Sequence, residues 1–270
     1  MPQTLRAEDS RTFWQTTAPS PVTVIHGDAT DKNTLTRSSV DLTVTSPPYN
    51  LGMKYSGKGS DDFMEYEDYL AFSKAWIKNC YLWTRNTGRF CLNVGLDKNK
   101  GGKRPVCADL TRIAMEVGWN YHATIVWNEG NISRHTAWGS WMSASAPHVI
   151  APVEVIIVLH KGEWKRERRG KNDITADDFK NWVKGIWTFT GESARRIGHE
   201  APFPRELPKR CIQLFSFIGD TVLDPFCGSG TTLIEAAVNG RRSFGIEKEE
   251  KYGRLSSERV KKEAQAALDV

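Results

Sequence analysis

The stretch that most constrains the fold runs from Asp220 to Thr232 and reads Asp-Thr-Val-Leu-Asp-Pro-Phe-Cys-Gly-Ser-Gly-Thr-Thr. A short apolar strand ends at Asp224, a turn with two glycines follows, and a helical pattern begins near Thr231. This order is typical of the strand–turn–helix unit of an open α/β sheet, which binds ligands at the carboxyl end of the strand. Glycine lets a ligand approach the backbone, and the free N–H groups of a helix amino terminus point outward.

The sequence of this turn can be compared with two known nucleotide-binding motifs. A dinucleotide-binding turn needs a third glycine, and the chain has Leu233 at that position. A P-loop needs Gly-Lys-Ser/Thr, and the turn contains no lysine. A Gly-x-Gly sequence alone is equally compatible with an ordinary strand–turn–helix corner that binds no ligand. A second motif is needed to distinguish a ligand-binding turn from such a corner.

The second motif follows a strand predicted at Asp41–Thr45 and reads Ser46-Pro47-Pro48-Tyr49-Asn50. This motif resembles the catalytic motif of amino-methyltransferases that act on DNA bases. The exocyclic amine of a base is a poor nucleophile because its lone pair is delocalised into the ring. A hydrogen-bond acceptor at Ser46 and a carbonyl fixed by the two prolines can hold such an amine with its lone pair aimed at a methyl carbon. Tyr49 can supply a flat face for an extruded base. The uncharged Ser46 is a weak general base, so we expect direct in-line transfer.

Together the two motifs resemble those of the β group of DNA amino-methyltransferases, in which the Ser/Asp/Asn-Pro-Pro-Tyr motif precedes the Asp-Pro-Phe-x-Gly-x-Gly motif. The resemblance covers residues 21–260. It implies a circularly permuted, Rossmann-like α/β sheet that is mostly parallel with an antiparallel edge strand. It also implies S-adenosylmethionine (AdoMet) as cofactor and double-stranded DNA as partner. The two motif strands should lie side by side, where the strand order of the sheet reverses.

The resemblance assigns roles to individual positions. Glu247 matches the acidic residue for the ribose hydroxyls, Asp28 the acidic residue near the adenine, and Phe203 the segment lining the methionine side. Cys227 is expected to be a small wall residue without a nucleophilic role. The catalytic residues are Ser46, Pro47, Pro48 and Tyr49, and the cofactor-binding residues are Asp28, Thr45, Phe203, Asp224, Phe226, Cys227, Gly228, Gly230, Thr231, Thr232 and Glu247.

In the family that the chain resembles, the DNA-recognition region lies between the edge strands and the segment that contains Phe203. This implies a recognition insert at residues 161–198, and that segment contains a basic run. Lysine and arginine can contact phosphates without reading the base sequence. The loop 128–148 is a further candidate to face DNA, through Asn131, Arg134, His135 and Trp138. The predicted DNA-binding residues are Lys165, Arg166, Arg168, Arg169, Lys171, Arg195 and Arg196.

Strands alternate with helices through most of the chain, which favours a mostly parallel sheet covered on both faces. We expect residues 1–20 to form a tail, and residues 21–160 and 199–270 to form the catalytic domain. Residues 51–62 form a candidate lid. The strands on either side of the 128–148 loop could form an antiparallel edge pair, because no helix separates them.

Composition excludes several classes of protein. With 270 residues, a net charge of +5 and no long apolar run, the chain is expected to be intracellular, in a prokaryotic cytoplasm, with no membrane partner. Its five cysteines have no zinc-binding spacing, so no metal is expected. No Pro-Cys pair is present, which disfavours cytosine-C5 methylation. A monomer or homodimer is expected, and a cognate restriction endonuclease is a possible partner.

The target atom and three rival classes stay open. In the family that the chain resembles, members with serine at the first motif position more often modify cytosine N4, so the resemblance favours that atom, and adenine N6 is the alternative. A protein-glutamine or RNA methyltransferase would carry its Asn-Pro-Pro-Tyr motif after the AdoMet motif. A non-catalytic DNA-binding module would need neither the glycine turn nor Glu247, and an NAD oxidoreductase is disfavoured by Leu233. AdoMet binding separates the enzymes from the binding module.

Overall fold

The structure is a computed structural model, which describes residues 12–16, 20–50, 64–97, 104–130, 139–149, 153–166, 168–192 and 204–268. Nine strands lie in the described part of the chain: β1 Thr12–Gln15, β2 Val22–His26, β3 Val40–Thr45, β4 Thr84–Gly95, β5 Asn120–Asn128, β6 Val153–His160, β7 Ile186–Thr188, β8 Thr221–Asp224 and β9 Arg242–Glu247. Six described helices accompany them: α1 Tyr66–Trp83, α2 Val106–Val117, α3 Ala176–Trp182, α4 Glu206–Phe215, α5 Thr231–Val238 and α6 Glu250–Leu268. No helix among these residues is long and apolar enough to cross a membrane.

All nine strands form one sheet, in the order β1-β2-β9-β8-β3-β4-β6-β5-β7. The neighbours from β2 to β4 are parallel. The strands β5 and β6 pair antiparallel with each other, and β6 pairs antiparallel with β4. The predicted antiparallel pair on either side of the 128–148 loop is therefore present, and the short parallel strand β7 lies outside it.

The strand order reverses between β3 and β8. These two strands are parallel neighbours, and Leu42 pairs with Val222 and Thr43 with Leu223. From β3 the chain continues to β4 on one side, and from β8 it continues to β9 on the other. The predicted permuted sheet, with both motif strands at its switch point, is confirmed.

Alternating side chains of the central strands supply two hydrophobic layers, as the two-residue period of a strand requires. On β6, Val155, Ile157 and Leu159 join the layer covered by α1 and α2. Ile156 and Val158 join the opposite layer, which includes residues of α4 and α5. Burial on both faces explains why β6 is almost continuously apolar, and it makes the single carboxylate of Glu154 in that strand conspicuous.

Two structural observations concern the expected boundaries, which stay predictions. The expected tail contains β1, which pairs antiparallel with β2. The expected insert does not stand apart, because α3 and β7 supply Trp182 and Trp187, 5% and 1% exposed, to the core of the sheet domain. Large aromatic side chains bury much apolar area, so Trp182 and Trp187 pack this segment closely against the sheet.

Candidate active site

The carboxyl ends of the parallel strands β2, β9, β8, β3 and β4 all lie on the same side of the sheet. We call this side the carboxyl edge and the side with the amino ends of these strands the amino edge; neither term refers to the outermost strands β1 and β7. The antiparallel strand β6 begins at the carboxyl edge, since Glu154 is opposite Gly95 near the end of β4. Both sequence motifs leave their strands at this edge. In an open α/β sheet, the crevice at the switch point of this edge is the usual ligand site.

A side-chain hydrogen bond connects the two motifs. The hydroxyl group of Thr45 donates to Oδ1 of Asp224 at 2.7 Å. The same oxygen accepts the backbone N–H of Phe226 at 3.1 Å. Burial raises the pKa of Asp224 to about 6, although these two hydrogen bonds act in the opposite direction. Because Asp224 is only 1% exposed, its side chain holds the two motifs together rather than lining an open surface.

Glu247 joins the end of β9 to the glycine turn. Its Oε2 accepts the N–H of Gly228 at 2.9 Å, and its Oε1 accepts the N–H of Glu249 at 2.9 Å. Gly228 has a φ of 48°, a left-handed conformation that favours glycine. Burial raises the pKa of Glu247 to about 7, against the effect of the backbone hydrogen bonds. Each carboxylate oxygen keeps capacity for a further hydrogen bond.

Asp28 lies beside Glu247, because β2 and β9 are paired and His26 is opposite Glu247. Its Oδ1 accepts hydrogen bonds from the N–H and the hydroxyl of Thr30, at 2.8 and 2.7 Å. Partial burial raises the pKa of Asp28, but the hydrogen bonds from Thr30 and the charge of Lys248 outweigh it, so the pKa lies below its ordinary value. The structure thus brings two predicted nucleoside-binding carboxylates together.

The remaining residues of the glycine turn are packed against helices. Gly230 has a φ of 82°, and a Cβ there would lie 2.4 Å from Oγ of Ser256 on α6. A side chain at Gly230 would therefore collide with α6 and would be strained at this φ. Thr231 and Thr232 are buried in the first turn of α5, and Cys227 is also buried. Burial raises the pKa of the Cys227 thiol well above its usual value, so it stays protonated.

Phe226 is partly buried under α1. Its ring meets the Trp76 ring edge-on, with 5.2 Å between the centroids, and lies 6.1 Å from the Phe72 ring. These contacts fix the side chain that follows Pro225, so the turn has a rigid wall on the α1 side.

The Ser-Pro-Pro-Tyr motif continues into a hydrogen-bonded cluster. The hydroxyl oxygens of Ser46 and Tyr49 are 2.6 Å apart. The hydroxyl group of Tyr49 also donates to Oε2 of Glu154 at 3.0 Å. The amide of Asn93 donates to the same oxygen at 2.5 Å and lies 3.0 Å from the Tyr49 hydroxyl. We call these four residues the Ser46 cluster.

Sequence reasoning missed two members of the Ser46 cluster. Asn93 lies on β4 and Glu154 on β6, and both are outside the two sequence motifs. A charged residue in a strand that is otherwise apolar was the available signal, because a buried charge needs partners. Burial raises the pKa of Glu154 above its usual value, as does the nearby charge of Glu129, and the hydrogen bonds from Asn93 and Tyr49 oppose this.

Asn50 closes the motif with a φ of 57°, a left-handed conformation that asparagine tolerates. Its amide donates to the carbonyl of Met64 at 2.9 Å, and its Oδ1 accepts the N–H of Met64 at 2.7 Å. This pair of bonds anchors the motif to the start of α1. The predicted lid, residues 51–62, lies outside the described residues.

The basic run lies near the amino edge, and its predicted contacts with DNA stay a prediction except at Arg166, whose side chain is taken up by ion pairs. The side chain of Arg166 is 6% exposed and bridges Asp220 at 2.5 Å and Asp41 at 3.1 Å, at the starts of β8 and β3. Lys165, Arg168, Arg169 and Lys171 are exposed near the same edge, and Arg168 lies 3.8 Å from Asp220. A duplex at the carboxyl edge would meet the other end of the strands. Arg166 therefore connects its segment to the starts of β3 and β8, and its guanidinium is not available to a phosphate.

Three predicted site residues lie outside the described residues, namely Arg195, Arg196 and Phe203. The same holds for Asn131, Arg134, His135 and Trp138 of the candidate DNA-facing loop. Their predicted roles remain predictions.

Comparison with known proteins identifies the family. Residues 40–258 match the model of the DNA methylase family that comprises N6- and N4-methyltransferases. The Type II methyltransferase M.MjaVI of Methanocaldococcus jannaschii is 52% identical over 176 residues, which cover 65% of this chain and 89% of that protein. The Type II methyltransferase M.ScaI of Streptomyces caespitosus is 31% identical, with 92% of this chain and 84% of that protein covered.

Solved structures agree with this match. TTHA0409 of Thermus thermophilus, described as a DNA modification methylase and solved with S-adenosyl-L-methionine, gives a TM-score of 0.70 at 30% identity. The match covers 89% of this chain and 95% of that chain. The cytosine-N4-specific PvuII DNA methyltransferase shares the fold, with a TM-score of 0.65 at 20% identity over 92% of this chain and 93% of that chain.

The chain belongs to the N6/N4 DNA methylase family. Membership confirms the predicted class, an AdoMet-dependent DNA amino-methyltransferase of the kind found in restriction–modification systems. It also excludes the rival classes, the non-catalytic binding module and the NAD oxidoreductase among them. The target atom and the roles of individual residues are separate questions.

Proposed function

We propose that this DNA methyltransferase methylates the N4 amine of a flipped cytosine, with Ser46 as the group that accepts a hydrogen bond from the amine. The hydrogen bond between the hydroxyl groups of Ser46 and Tyr49 is the observation that supports the role of Ser46 as the acceptor. It occupies one side of Ser46 and leaves the other for substrate. Thr45, the residue before Ser46, is hydrogen-bonded to Asp224 of the glycine-turn motif. Ser46 and the cofactor turn therefore lie at the same switch point of the sheet.

The residues at the carboxyl edge fit AdoMet. Both oxygens of Glu247 keep a free acceptor position suited to a ribose diol. Asp28 stands beside Glu247 at the end of the paired strand, and Phe226 offers a rigid apolar wall. When bound, AdoMet supplies a sulfonium methyl group to a nucleophile. We include Gly228 and Thr45 as residues that shape this pocket, and Asp224 as the residue that holds them in position.

The motif acts on the amine by orientation. Ser46 accepts one N–H of the amine, and the backbone within Pro47-Pro48, fixed in φ by the prolines, offers a carbonyl to the other. Both bonds favour a nitrogen whose lone pair points at the methyl carbon. The ring of Tyr49 is partly exposed, and its hydroxyl is held by Ser46 and Glu154. A ring fixed in this way can support a flipped base.

The choice of cytosine N4 rests on Ser46 at the first motif position, and adenine N6 is the alternative. Both amines are conjugated to a ring and present two N–H donors, so the hydrogen-bond chemistry of the motif suits either. The Type II methyltransferases among the relatives support a cognate endonuclease as a partner.

Recognition of DNA is assigned to the loop between β5 and β6, because it connects two strand ends at the carboxyl edge. Within it, Ser140 donates its N–H to the carbonyl of Ala146 at 2.9 Å, and Gly139 pairs with Pro147, which forms a small hairpin. Its tip exposes Trp141 by 69% and Met142 by 89%. Exposed aromatic and apolar side chains can stack on bases or enter a base step.

The test is mass spectrometry of nucleosides from unmodified DNA treated with the enzyme and AdoMet, followed by sequencing of the modified base. The proposal expects N4-methylcytosine at one sequence context. Detection of N6-methyladenine would mean that the same site methylates adenine, the alternative target, instead of cytosine. The absence of any methylated base would contradict the activity itself.

A further inference from the structure

Glu154 is a carboxylate at the start of β6 whose described partners are neutral. Oε2 accepts hydrogen bonds from Tyr49 and from Asn93. No described lysine or arginine forms an ion pair with it. Glu154 is half-buried, and a carboxylate partly removed from water without a cation is costly. This burial is the main cause that raises the pKa of Glu154, and the charge of Glu129 adds to it. Such a group is suited to take up a proton.

When Glu154 is ionised, the hydroxyl groups of the Ser46 cluster all donate towards it. A carboxylate only accepts, so the single proton of Tyr49 points to Glu154. The hydroxyl proton of Ser46 then points to the Tyr49 oxygen, 2.6 Å away. Ser46 is left with lone pairs alone for the substrate. Protonation of Glu154 would remove this bias, and Ser46 would lose its fixed role as an acceptor.

We propose that Glu154 is the terminal proton acceptor of methyl transfer, reached from Ser46 through Tyr49. The inference rests on the proposed contact between Ser46 and the target amine. As the amine nitrogen forms the N–C bond with its lone pair, the electron pair of the broken S–C bond stays on sulfur. The amine proton passes to Oγ of Ser46, the Ser46 proton to the Tyr49 oxygen, and the Tyr49 proton to Oε2 of Glu154.

The charges balance at the end of this sequence. The positive sulfonium and the negative carboxylate both become neutral, and the methylated amine is neutral. Tyr49 serves as a relay that remains protonated, because burial and the charge of Glu154 raise its pKa well above the usual value. The titratable groups facing Glu154 are Tyr49 after β3 and Glu129 after β5, with Tyr69 of α1 near Tyr49.

The experiment measures methyl transfer in a single turnover, with labelled AdoMet and a DNA duplex, across a range of pH. Wild-type enzyme should lose rate as Glu154 becomes protonated on the acid side, above the pH at which an ordinary glutamate titrates. Glu154→Gln should slow transfer on the order of 100-fold, which is typical for loss of a general base, and should abolish this acid limb. Its affinities for AdoMet and DNA should remain within about twofold, because Gln keeps the shape of the residue and one acceptor.

Two controls separate proton transfer from support of the fold. Glu163→Gln makes the same change at an exposed residue just beyond the amino-edge end of β6 and should leave rate and pH profile unchanged. Glu154→Asp keeps a carboxylate and should retain an acid limb with a shifted midpoint. If Glu154→Gln fails to bind AdoMet, the pH midpoint of Glu154→Asp decides.

A wild-type rate in Glu154→Gln would overturn the inference. So would a slow Glu154→Gln enzyme with an unchanged acid limb, or an unaltered midpoint in Glu154→Asp. Failure of the proposed contact between Ser46 and the amine is distinguishable, because Ser46→Ala would then keep its methyl transfer in the same assay, whatever the result for Glu154→Gln. The identity of the methylated base is determined separately from the product nucleoside.

Discussion

Thr45 donates its hydroxyl proton to Asp224 at 2.7 Å, across 179 positions of the chain. This bond holds the end of β3 against the end of β8, so the residue before Ser46 is fixed to the residue that opens the glycine turn. The spacing between the base-binding motif and the cofactor turn is thereby set by two paired strands. Rigid elements of this kind keep reacting groups in alignment.

Thr45→Val should destabilise the protein and weaken AdoMet binding. The substitution keeps the shape of the side chain but leaves the buried Asp224 carboxylate without its hydroxyl donor, at a cost of about 1–3 kcal/mol in the free energy of unfolding. Urea denaturation and calorimetric titration with AdoMet measure the two effects.

Thr43→Val is the matched control on the same strand. Thr43 is fully buried, and its hydroxyl has no hydrogen-bond partner in the described part of the chain. Removing that hydroxyl should be neutral or stabilising. Equal losses in the two variants would show that the Thr45–Asp224 bond has no special role.

Binding of AdoMet should strengthen as pH rises through about 7. The pKa of Glu247 is raised by burial to about 7, and only the ionised carboxylate offers both oxygens as acceptors to a ribose diol. The affinity should therefore increase about tenfold from pH 6 to pH 8, in line with the change in ionised fraction. Isothermal titration calorimetry at several pH values measures it.

Glu247→Gln should bind AdoMet weakly and lose most of this pH dependence. Any remainder would report the amino group of the ligand, which titrates in the same range. Glu258→Gln on the exposed face of α6 is the control and should behave as wild type. A profile that is identical in Glu247→Gln and wild type would remove Glu247 from the cofactor site.

Arg166→Ala should destabilise the fold by about 3–5 kcal/mol, because it removes the buried cation shared by two buried carboxylates. These are Asp41 and Asp220, at 3% and 0% exposure. Only the more exposed Arg85 and Arg168 would remain as their partners. Arg168→Ala, two positions along, removes a side chain that is 60% exposed and should change stability by less than about 1 kcal/mol. Chemical denaturation distinguishes them.

The same basic run provides a test of where DNA binds. Arg168→Ala combined with Arg169→Ala should leave DNA affinity within about twofold at fixed salt, because both residues lie near the amino edge. A large loss of affinity with a reduced salt dependence would indicate phosphate contacts there, and the assignment of DNA to the carboxyl edge would be wrong.

Trp141→Ala should weaken DNA binding by about 1–3 kcal/mol, the range typical of base–aromatic stacking, without affecting AdoMet. Tyr121→Ala is the control, since this residue is 45% exposed but lies at the amino-edge start of β5. Fluorescence anisotropy of a labelled duplex measures both. Equal effects in the two variants would argue against the hairpin as a DNA contact.

Most of the architecture could be predicted from the sequence, because strands, turns and helices each leave a pattern in neighbouring residues. Alternating or continuous apolar runs marked β3, β6, β8 and β9, and two motifs with fixed spacing located the switch point. The order of the motifs implied the permuted sheet. The strand β1 was missed because a four-residue strand at a sheet edge carries little pattern of its own.

Features that depend on distant pairing could not be predicted. Arg166 looks like a phosphate ligand in a basic run, and only the meeting of Asp41 and Asp220 at the amino edge gives it a structural role. Gly230 belongs to a ligand-type motif, yet its lack of a side chain is required by Ser256 of α6. Glu154 joins Ser46 only because β6 runs antiparallel to β4.

The central claim is that the Ser46 motif, held beside the glycine turn, is where DNA is methylated. The most direct test is transfer of labelled methyl groups from AdoMet to duplex DNA by wild-type enzyme and Ser46→Ala, with AdoMet affinity measured in parallel. We predict a loss of at least about 100-fold in transfer, because the acceptor for the amine is removed, with AdoMet affinity nearly unchanged. Full activity in Ser46→Ala would contradict the account.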